Sequence, residues 1–443
     1  MIDLNTVHNH DCMTVMSALE DHSIDIIVTD PPYAMGSEVI IHKDGKPDYR
    51  KATDFMNKWD MPTGVWWEKW YAEAIRVLKH GGYCLMFGID RQLLMFKYYA
   101  ALAGFEERQS LYWYFTSNYP KSTDLGKMID RQAGAVREVT GDHPMQHLNG
   151  RQPMTLSGKY KFSPLSKPAT DLAKKYDGYR YSISALKQTN ETIMVFQKPY
   201  KTGSCLHDTL AYEHGDVSCC CGAVNAAERV GTGQITVRGG TRGVINGQSI
   251  PRPTNAVNAP HTGRYPAQTF VDSGAADVLD KQSGITVTKA RERDMSPSNA
   301  NPTISFGHSY KCGEAHDDVM GASGILHTCD FEKGEYDLYY HCSKVGVDER
   351  CKGVSHPTIK PLKLMSHILR LFRTPNSQLL LDPFAGSGTT LLAAKELGYA
   401  YIGVELSADY CRMITQRLNE LMPLQRSIPA VSVKPPASRS LID

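Results

Sequence analysis

Thr29-Asp30-Pro31-Pro32-Tyr33 sets a carboxylate, two prolines and an aromatic ring in one short run. The two prolines fix φ and remove two backbone N–H groups, so the corner is stiff and its carbonyl oxygens stay free to accept hydrogen bonds. Asp30 adds a second kind of acceptor and Tyr33 adds a flat apolar face. That set suits an aromatic amine. Its lone pair is delocalised into the ring, which makes the nitrogen a poor nucleophile. Acceptors aimed at its two hydrogens pull the nitrogen toward tetrahedral geometry, and a stacked ring holds the plane still. Catalysis of this kind works by positioning and preorganised dipoles. A base inside a duplex reaches such a corner only after being flipped out.

A second run, Asp382-Pro383-Phe384-Ala385-Gly386-Ser387-Gly388, follows the apolar stretch Gln378 to Leu381 and precedes a helical pattern from Thr389 to Leu397. Two glycines at i and i+2 between strand and helix let the backbone turn tightly and come close to a ligand, with the free N–H groups of the helix start beyond them. Seventeen positions after Gly388, the apolar run Tyr401 to Val404 ends at Glu405. A carboxylate at the end of the next strand is where a ribose diol is held in such folds. The third glycine of a dinucleotide fingerprint and the lysine of a P-loop are both missing, so the pattern reads as a nucleoside-cofactor site rather than one for NAD or ATP.

Both runs need a sheet behind them. Ile24 to Thr29 is a short β-branched run that suits a buried parallel strand. Trp66 to Leu78 has helical spacing, and His80-Gly81-Gly82 is read as its stop. Tyr83 to Phe87 then reads as a strand and Arg91 to Leu102 as a helix. The α/β texture returns after about residue 331, where Tyr336 to Tyr340 is a strand candidate, Pro361 to Phe372 and Ala408 to Leu421 are helical, and a proline-rich tail spans 425–443. Residues 121–330 differ: they are rich in Gly, Pro, Asn, Ser and Thr, with short strand candidates at Ile193 to Gln197 and Thr269 to Asp272. A structureless loop of that length is implausible in a compact domain, so the stretch reads as an insertion. The expected division is therefore 1–120 and 331–424 as two halves of one α/β domain, 121–330 as the insertion, and 425–443 as a tail.

In order and wording these residues resemble the amino-methyltransferases that modify DNA at adenine N6 or cytosine N4. The resemblance is to the β class, in which the tetrad precedes the glycine motif and a target recognition domain lies between them. Asn9-His10-Asp11-Cys12 resembles the family's opening, and His356-Pro357-Thr358-Ile359-Lys360-Pro361 its His-Pro-Thr-x-Lys-Pro segment. Tyr119-Pro120-Lys121-Ser122 and Gly263-Arg264-Tyr265-Pro266-Ala267 are similar to segments of phage and prophage members.

The resemblance implies a Rossmann-like S-adenosylmethionine-dependent methyltransferase fold of α/β class, with permuted motif order and an inserted target recognition domain. It implies that Asp30 and the Pro31 carbonyl bind the target amine, with Pro32 stiffening the corner, and that Tyr33 stacks on the flipped base. Asp382, Phe384, Gly386 and Gly388 would shape the cofactor pocket, Glu405 would hold the ribose, and Asp11, Thr358 and Lys360 would complete the site. The cofactor is then S-adenosylmethionine and the partner double-stranded DNA, with a homodimer and a cognate restriction enzyme left open. Asp rather than Ser at the head of the tetrad favours adenine N6, with cytosine N4 as the alternative. A catalytically inactive DNA-binding relative is the other class of reading, and the intact Asp30, Tyr33, Gly386, Gly388 and Glu405 stand against it.

Composition adds limits. The formal net charge is only +2, so any DNA-binding surface must come from local clustering of groups such as Lys167, Lys174, Lys175, Arg180, Arg229, Arg238, Arg242, Arg252 and Arg264. There is no apolar run long enough to cross a membrane and no secretory leader, so a cytoplasmic location is expected. The eleven cysteines are read as reduced thiols. Neither Cys205, His207 and Cys219-Cys220-Cys221 nor His341, Cys342, Cys351 and His356 shows a clean C-x₂-C pair, and no metal is expected. Cys12 and Cys84 are read as core residues. Trp66, Trp67 and Trp70 at helical spacing are read as packing on a sheet, while Trp113 and Tyr114 are candidates for the edge of the base pocket.

Overall fold

Ile24–Thr29 is buried at every position, which is what an IDIIVT run gives when both faces of its sheet are covered. Around it a computed structural model of the chain describes residues 2–33, 38–49, 63–115, 121–142, 164–184, 186, 188–225, 230–237, 244–245, 248–249, 261–264, 267–271, 273–284, 286–288, 314–316, 318–320, 327–328, 359–375 and 379–420. Outside these lie Thr358, the candidate strand Tyr336 to Tyr340, the set His341, Cys342, Cys351 and His356, Arg229, Arg238, Arg242, Arg252, and the 425–443 tail.

The main sheet has ten strands. In chain order they are β1 (Thr6–His8), β2 (Ile24–Thr29), β3 (Leu78–Gly88), β4 (Glu106–Glu107), β5 (Leu111–Tyr114), β6 (Asn190–Gln197), β7 (Thr269–Val271), β8 (His327–Thr328), β9 (Leu379–Asp382) and β10 (Ala400–Val404). Their order across the sheet is β1-β10-β9-β2-β3-β6-β5-β7-β8, with β4 also against β6. Among the described strands of this sheet, β6 alone runs against the rest. Two strands from the end of the chain thus wedge between β1 and β2.

Alternation along the strands sorts side chains to two faces. Ile26, Val28, Leu85, Phe87, Ile193 and Val195 point to one, where α4 (Leu362–Leu371), α5 (Thr389–Glu396) and the buried Ile414 and Leu418 of α6 (Ala408–Glu420) cover them. Ile27, Cys84, Met86, Met194 and Phe196 point to the other, against α1 (Cys12–Ser17), α2 (Gly64–Val77) and α3 (Asp90–Leu102). Helices on both faces of a mostly parallel sheet make a doubly wound, Rossmann-like α/β fold. Cys12 and Cys84 are core residues, as are Trp67 and Trp70, whose helical spacing led one to expect it.

Two sequence expectations change. His80-Gly81-Gly82 does not end α2. The helix stops at Val77 and β3 begins at once; Ile24 pairs with Leu78 and Ile26 with Tyr83, so the intervening residues bulge out of register. Gly81 takes φ +79° there, where a Cβ would lie 2.9 Å from the Cys220 carbonyl oxygen. The end of α2 is instead held by the buried Lys198, whose Nζ donates to the Ile75 and Leu78 carbonyls at 2.6 and 2.7 Å. Second, the stretch 121–330 does not stand wholly apart: β6, β7 and β8 come from it and complete the main sheet. Asn190–Gln197 carries a six-position register with β3, which binds it into the centre.

Candidate active site

In an open α/β sheet, ligands sit beyond the carboxyl ends of the strands, where the connections part to opposite sides. Here β2 and β9 are adjacent and parallel, Ile26 beside Leu380 and Ile27 beside Leu381. The two corners therefore emerge side by side. Thr29 Oγ1 donates to Asp382 Oδ1 at 2.7 Å, joining the last residue of β2 to the last residue of β9.

Asp382 is 1% exposed, and its carboxylate also accepts from the Phe384 N–H at 3.2 Å and from the Thr390 side chain. Burial outweighs these donors and raises its pKa to about 7. Three donors from both strand ends converge on it, so it braces the two corners from beneath.

Beyond Asp382 the chain turns through Gly386 at φ +52° and Gly388 at φ +77°. Both values lie in the left-handed region that glycine enters without a Cβ penalty. Gly388 also sits where a Cβ would come within 2.8 Å of Ile414 Cγ2, so the turn fits tightly over α6. The Ala385 N–H donates to the Val404 carbonyl at 2.8 Å, and the Gly386 N–H donates to Glu405 Oε2 at 2.9 Å. Glu405 Oε1 accepts from the Ser407 N–H at 2.8 Å. Burial raises the Glu405 pKa, and the backbone donors of Ser407, Gly386 and Leu406 oppose that rise. Each carboxylate oxygen carries two lone pairs, so acceptor capacity remains for a diol. Phe384 is held from the side by Trp66 and Trp70, at ring-centroid separations of 6.1 and 5.9 Å.

Asp11 stands beyond the end of β1, which pairs with β10 in register up to His8 beside Val404. Its carboxylate caps α1 by accepting from the Met13 N–H at 2.9 Å. Asn9 Nδ2 donates to the Glu405 and Leu406 carbonyls at 3.1 and 2.9 Å, tying this end of β1 to the end of β10. Asp11, Glu405, the glycine turn and the tetrad thus share one edge of the sheet.

On the other side of that edge, Tyr33 Oη donates to Asp30 Oδ1. Asp30 Oδ2 accepts from Lys360 Nζ at 2.7 Å. Lys360, expected with the cofactor residues, lies just ahead of α4 and also reaches Glu191 Oε2 at 3.0 Å. Its Nζ is 4.9 Å from the Phe87 ring centroid and 5.8 Å from that of Tyr33. Burial alone would favour the neutral amine, but the carboxylates of Asp30 and Glu191 outweigh it and lift its pKa above the ordinary lysine value. Burial, then Asp30 and Glu191, push the Tyr33 phenol well up, so it stays a protonated donor.

Glu191 was not singled out by the sequence. It is the second residue of β6, and because that strand is reversed its beginning lies at the edge where the others end. Its ladder partner is Trp113, which is 7% exposed and packs on Phe115 at 4.8 Å. Thr358 lies outside the described residues. The Cys219-Cys220-Cys221 run is buried beside the bulge of β3, with the Cys220 N–H donating to the His80 carbonyl at 2.9 Å.

A doubly wound sheet with an Asp-Pro-Pro-Tyr corner beside a glycine turn and its acidic strand end is a Rossmann-like methyltransferase fold with permuted motif order. The chain belongs to the DNA methylase family of N6/N4 type, whose model matches residues 24–416. It is 41% identical over 96 residues to the type II methyltransferase M2.MboI of Moraxella bovis, covering 22% of this chain and 34% of that protein. It is 29% identical over 159 residues to the type II methyltransferase M.HinfI of Haemophilus influenzae, covering 32% and 44%. These matches span less than half of either relative. Among solved structures, the PvuII cytosine-N4-specific DNA methyltransferase aligns over 94% of this chain and 89% of its own, at 11% identity and a TM-score of 0.39.

Proposed function

We propose that the protein is a site-specific DNA methyltransferase that transfers a methyl group from S-adenosylmethionine to adenine N6 in double-stranded DNA, after flipping the base out of the helix. The observation that carries this reading is the Thr29–Asp382 bond, which holds the tetrad and the glycine turn side by side at one edge.

The residues at that edge fit the cofactor. Glu405 offers acceptors for the ribose, the left-handed turn at Gly386 lets backbone come close, and Phe384 supplies an apolar wall. Asp11 and Gly388 belong to the same pocket in this reading, and Thr358 keeps the cofactor role that the resemblance implies. When bound, S-adenosylmethionine supplies a methyl group on a positively charged sulfur that departs as a neutral thioether. The protein does the rest by placement. Asp30 and the Pro31 carbonyl accept the two amine hydrogens and localise the nitrogen lone pair, so that it would face the methyl group of the bound cofactor. Tyr33, anchored by its hydroxyl to Asp30, stacks on the base. The surplus amine proton leaves by way of the Asp30 carboxylate to solvent. No covalent enzyme intermediate is involved.

Recognition of the DNA site falls, in this reading, to the parts of residues 121–330 that lie outside the main sheet. The α4-facing half of the sheet edge holds the base and the β1–β10 half holds the cofactor. The test is incubation with radiolabelled S-adenosylmethionine and genomic DNA, followed by nucleoside analysis. Label in N6-methyladenosine is expected. Label in N4-methylcytosine would move the assignment to the other base of the family, and label at cytosine C5, or none, would overturn the reading.

A further inference from the structure

The Gly386-Ser387-Gly388 turn has little covalent stiffness of its own. Glycine enters most of φ/ψ space at low cost, so the two residues that let the chain turn also let it drift. A site that uses backbone close to a ligand needs that backbone held in one place by its surroundings. Here the peptide between Ser387 and Gly388 is held at both ends. Its N–H donates to the Ala385 carbonyl at 2.6 Å, and its carbonyl accepts from Arg417 Nη1.

Arg417 comes from α6 and is 9% exposed. It stands three positions beyond Ile414, whose carbons occupy the space a Cβ on Gly388 would need. Residues three apart share one helix face, so both side chains lie on the side of α6 that the turn covers. Arg417 Nη1 is also 3.5 Å from Thr389 Oγ1, in the first turn of α5. A hydrogen bond from a guanidinium is stronger than a neutral one, which suits it to fix a carbonyl between two glycines. Just ahead of α6, the Ser407 N–H holds Glu405 Oε1 at 2.8 Å. One helix thereby braces both the turn and the acidic strand end.

We infer that Arg417 is a positioning residue for S-adenosylmethionine. It acts through the turn: holding the Ser387 carbonyl toward α6 keeps Gly386 and Gly388 in the conformation that leaves room for the ligand. The inference rests on the reading of the glycine turn as part of the cofactor site.

Arg417→Met keeps the length of the side chain and removes its donors. The Kd for S-adenosylmethionine, by calorimetry well below the thermal midpoint, should rise on the order of tenfold, within what a hydrogen bond to a charged group is worth. At saturating cofactor, kcat and the KM for DNA should stay at wild-type values, because Asp30 is bonded to Tyr33 and Lys360 and not to the turn. Arg417→Lys keeps the charge and one donor without the planar fork, and its Kd should fall between the two. Leu418→Ala is the control for stability. It empties a buried position on the same helix and should lower the thermal midpoint with the Kd unchanged. A Kd raised as much in Leu418→Ala as in Arg417→Met would mean that any loosening of α6 weakens binding, and overturns the inference. So does an Arg417→Met variant with wild-type Kd. Should Arg417→Met fail to fold, Arg417→Lys decides alone: a raised Kd with unchanged kcat supports the inference, and a wild-type Kd overturns it. If the wild-type protein binds no S-adenosylmethionine, the cofactor reading itself fails and takes this inference with it.

Discussion

The Thr29 hydroxyl and the Asp382 carboxylate meet at 2.7 Å although 353 positions separate them in the chain. The bond closes the permuted topology. It is made between two strand ends, so it fixes how far apart the Asp-Pro-Pro-Tyr corner and the glycine turn stand. Asp25 makes a corresponding clasp at the opposite edge, accepting from Lys79 Nζ and from the Leu379 N–H, each at 2.8 Å. The strand that carries the tetrad is therefore pinned at both ends, to β9 at each and to β3 at one.

The clasp is sensitive to pH. Asp382 has a folded pKa of about 7, against about 3.9 in an unfolded chain. A raised carboxyl pKa means that the folded state holds the proton more tightly. Its stabilising contribution is complete below about pH 4 and is lost as the pH rises through about 7. The loss is on the order of 4 kcal/mol. Asp382→Asn, neutral at every pH, should flatten this part of the profile. Urea unfolding of wild type and variant at pH 5 and pH 8 measures the difference, and parallel profiles would contradict the assignment.

Asp30→Ala removes the acceptor while leaving Lys360 paired with Glu191. Transfer to DNA should drop on the order of 10²–10³-fold, the usual cost of one preorganised electrostatic contact at a reacting centre. Calorimetric affinity for S-adenosylmethionine should not change, because the glycine turn and Glu405 are bonded to one another and not to Asp30. Equal loss of both would place Asp30 in the cofactor site instead.

Local pattern made much of this legible from sequence. Ile24–Thr29 and Gln378 to Leu381 are apolar runs that declare themselves, and the tetrad and glycine turn sit at their ends. Glu191 was not legible, for two physical reasons. The strand was read from Ile193, since Asn190 and Glu191 carry no apolar signal. Its reversal, which brings Glu191 to the functional edge, is a property of long-range pairing with Gly88 and Tyr114 on neighbouring strands. The partners of Lys360 were illegible on the same ground: nothing near it in sequence names Asp30 or Glu191. His80-Gly81-Gly82 carries a turn signal, and a glycine pair serves a bulge as readily as a helix stop.

Glu405 links the glycine turn to the end of β10 through the Gly386 and Ser407 N–H groups. Glu405→Ala removes those bonds along with the acceptor proposed for the ribose. Hydrogen bonds to a charged group are worth about 1.5–3 kcal/mol, so the Kd for S-adenosylmethionine should rise about tenfold to a hundredfold. At saturating cofactor kcat should stay near wild type, because Glu405 stands on the opposite side of Asp382 from Asp30. An unchanged Kd in a calorimetric titration would remove Glu405 from the cofactor site.

Gly388 tests the tightness of the turn over α6. At φ +77° a Cβ carries the left-handed cost of about 1–2 kcal/mol. It would also meet Ile414 Cγ2 at 2.8 Å and Cγ1 at 2.9 Å, and such overpacking costs about 1–3 kcal/mol. Gly388→Ala should therefore destabilise the fold by about 2–5 kcal/mol. The two causes separate in a double-mutant cycle. Ile414→Ala removes the clashing carbons but leaves the backbone strain, so Gly388→Ala should cost less in that background, with a residue of about 1–2 kcal/mol. Denaturant unfolding of the four proteins gives the coupling. If the cost of Gly388→Ala is the same in both backgrounds, the steric contact with Ile414 has no part in fixing the turn, and the glycine is required by its φ alone.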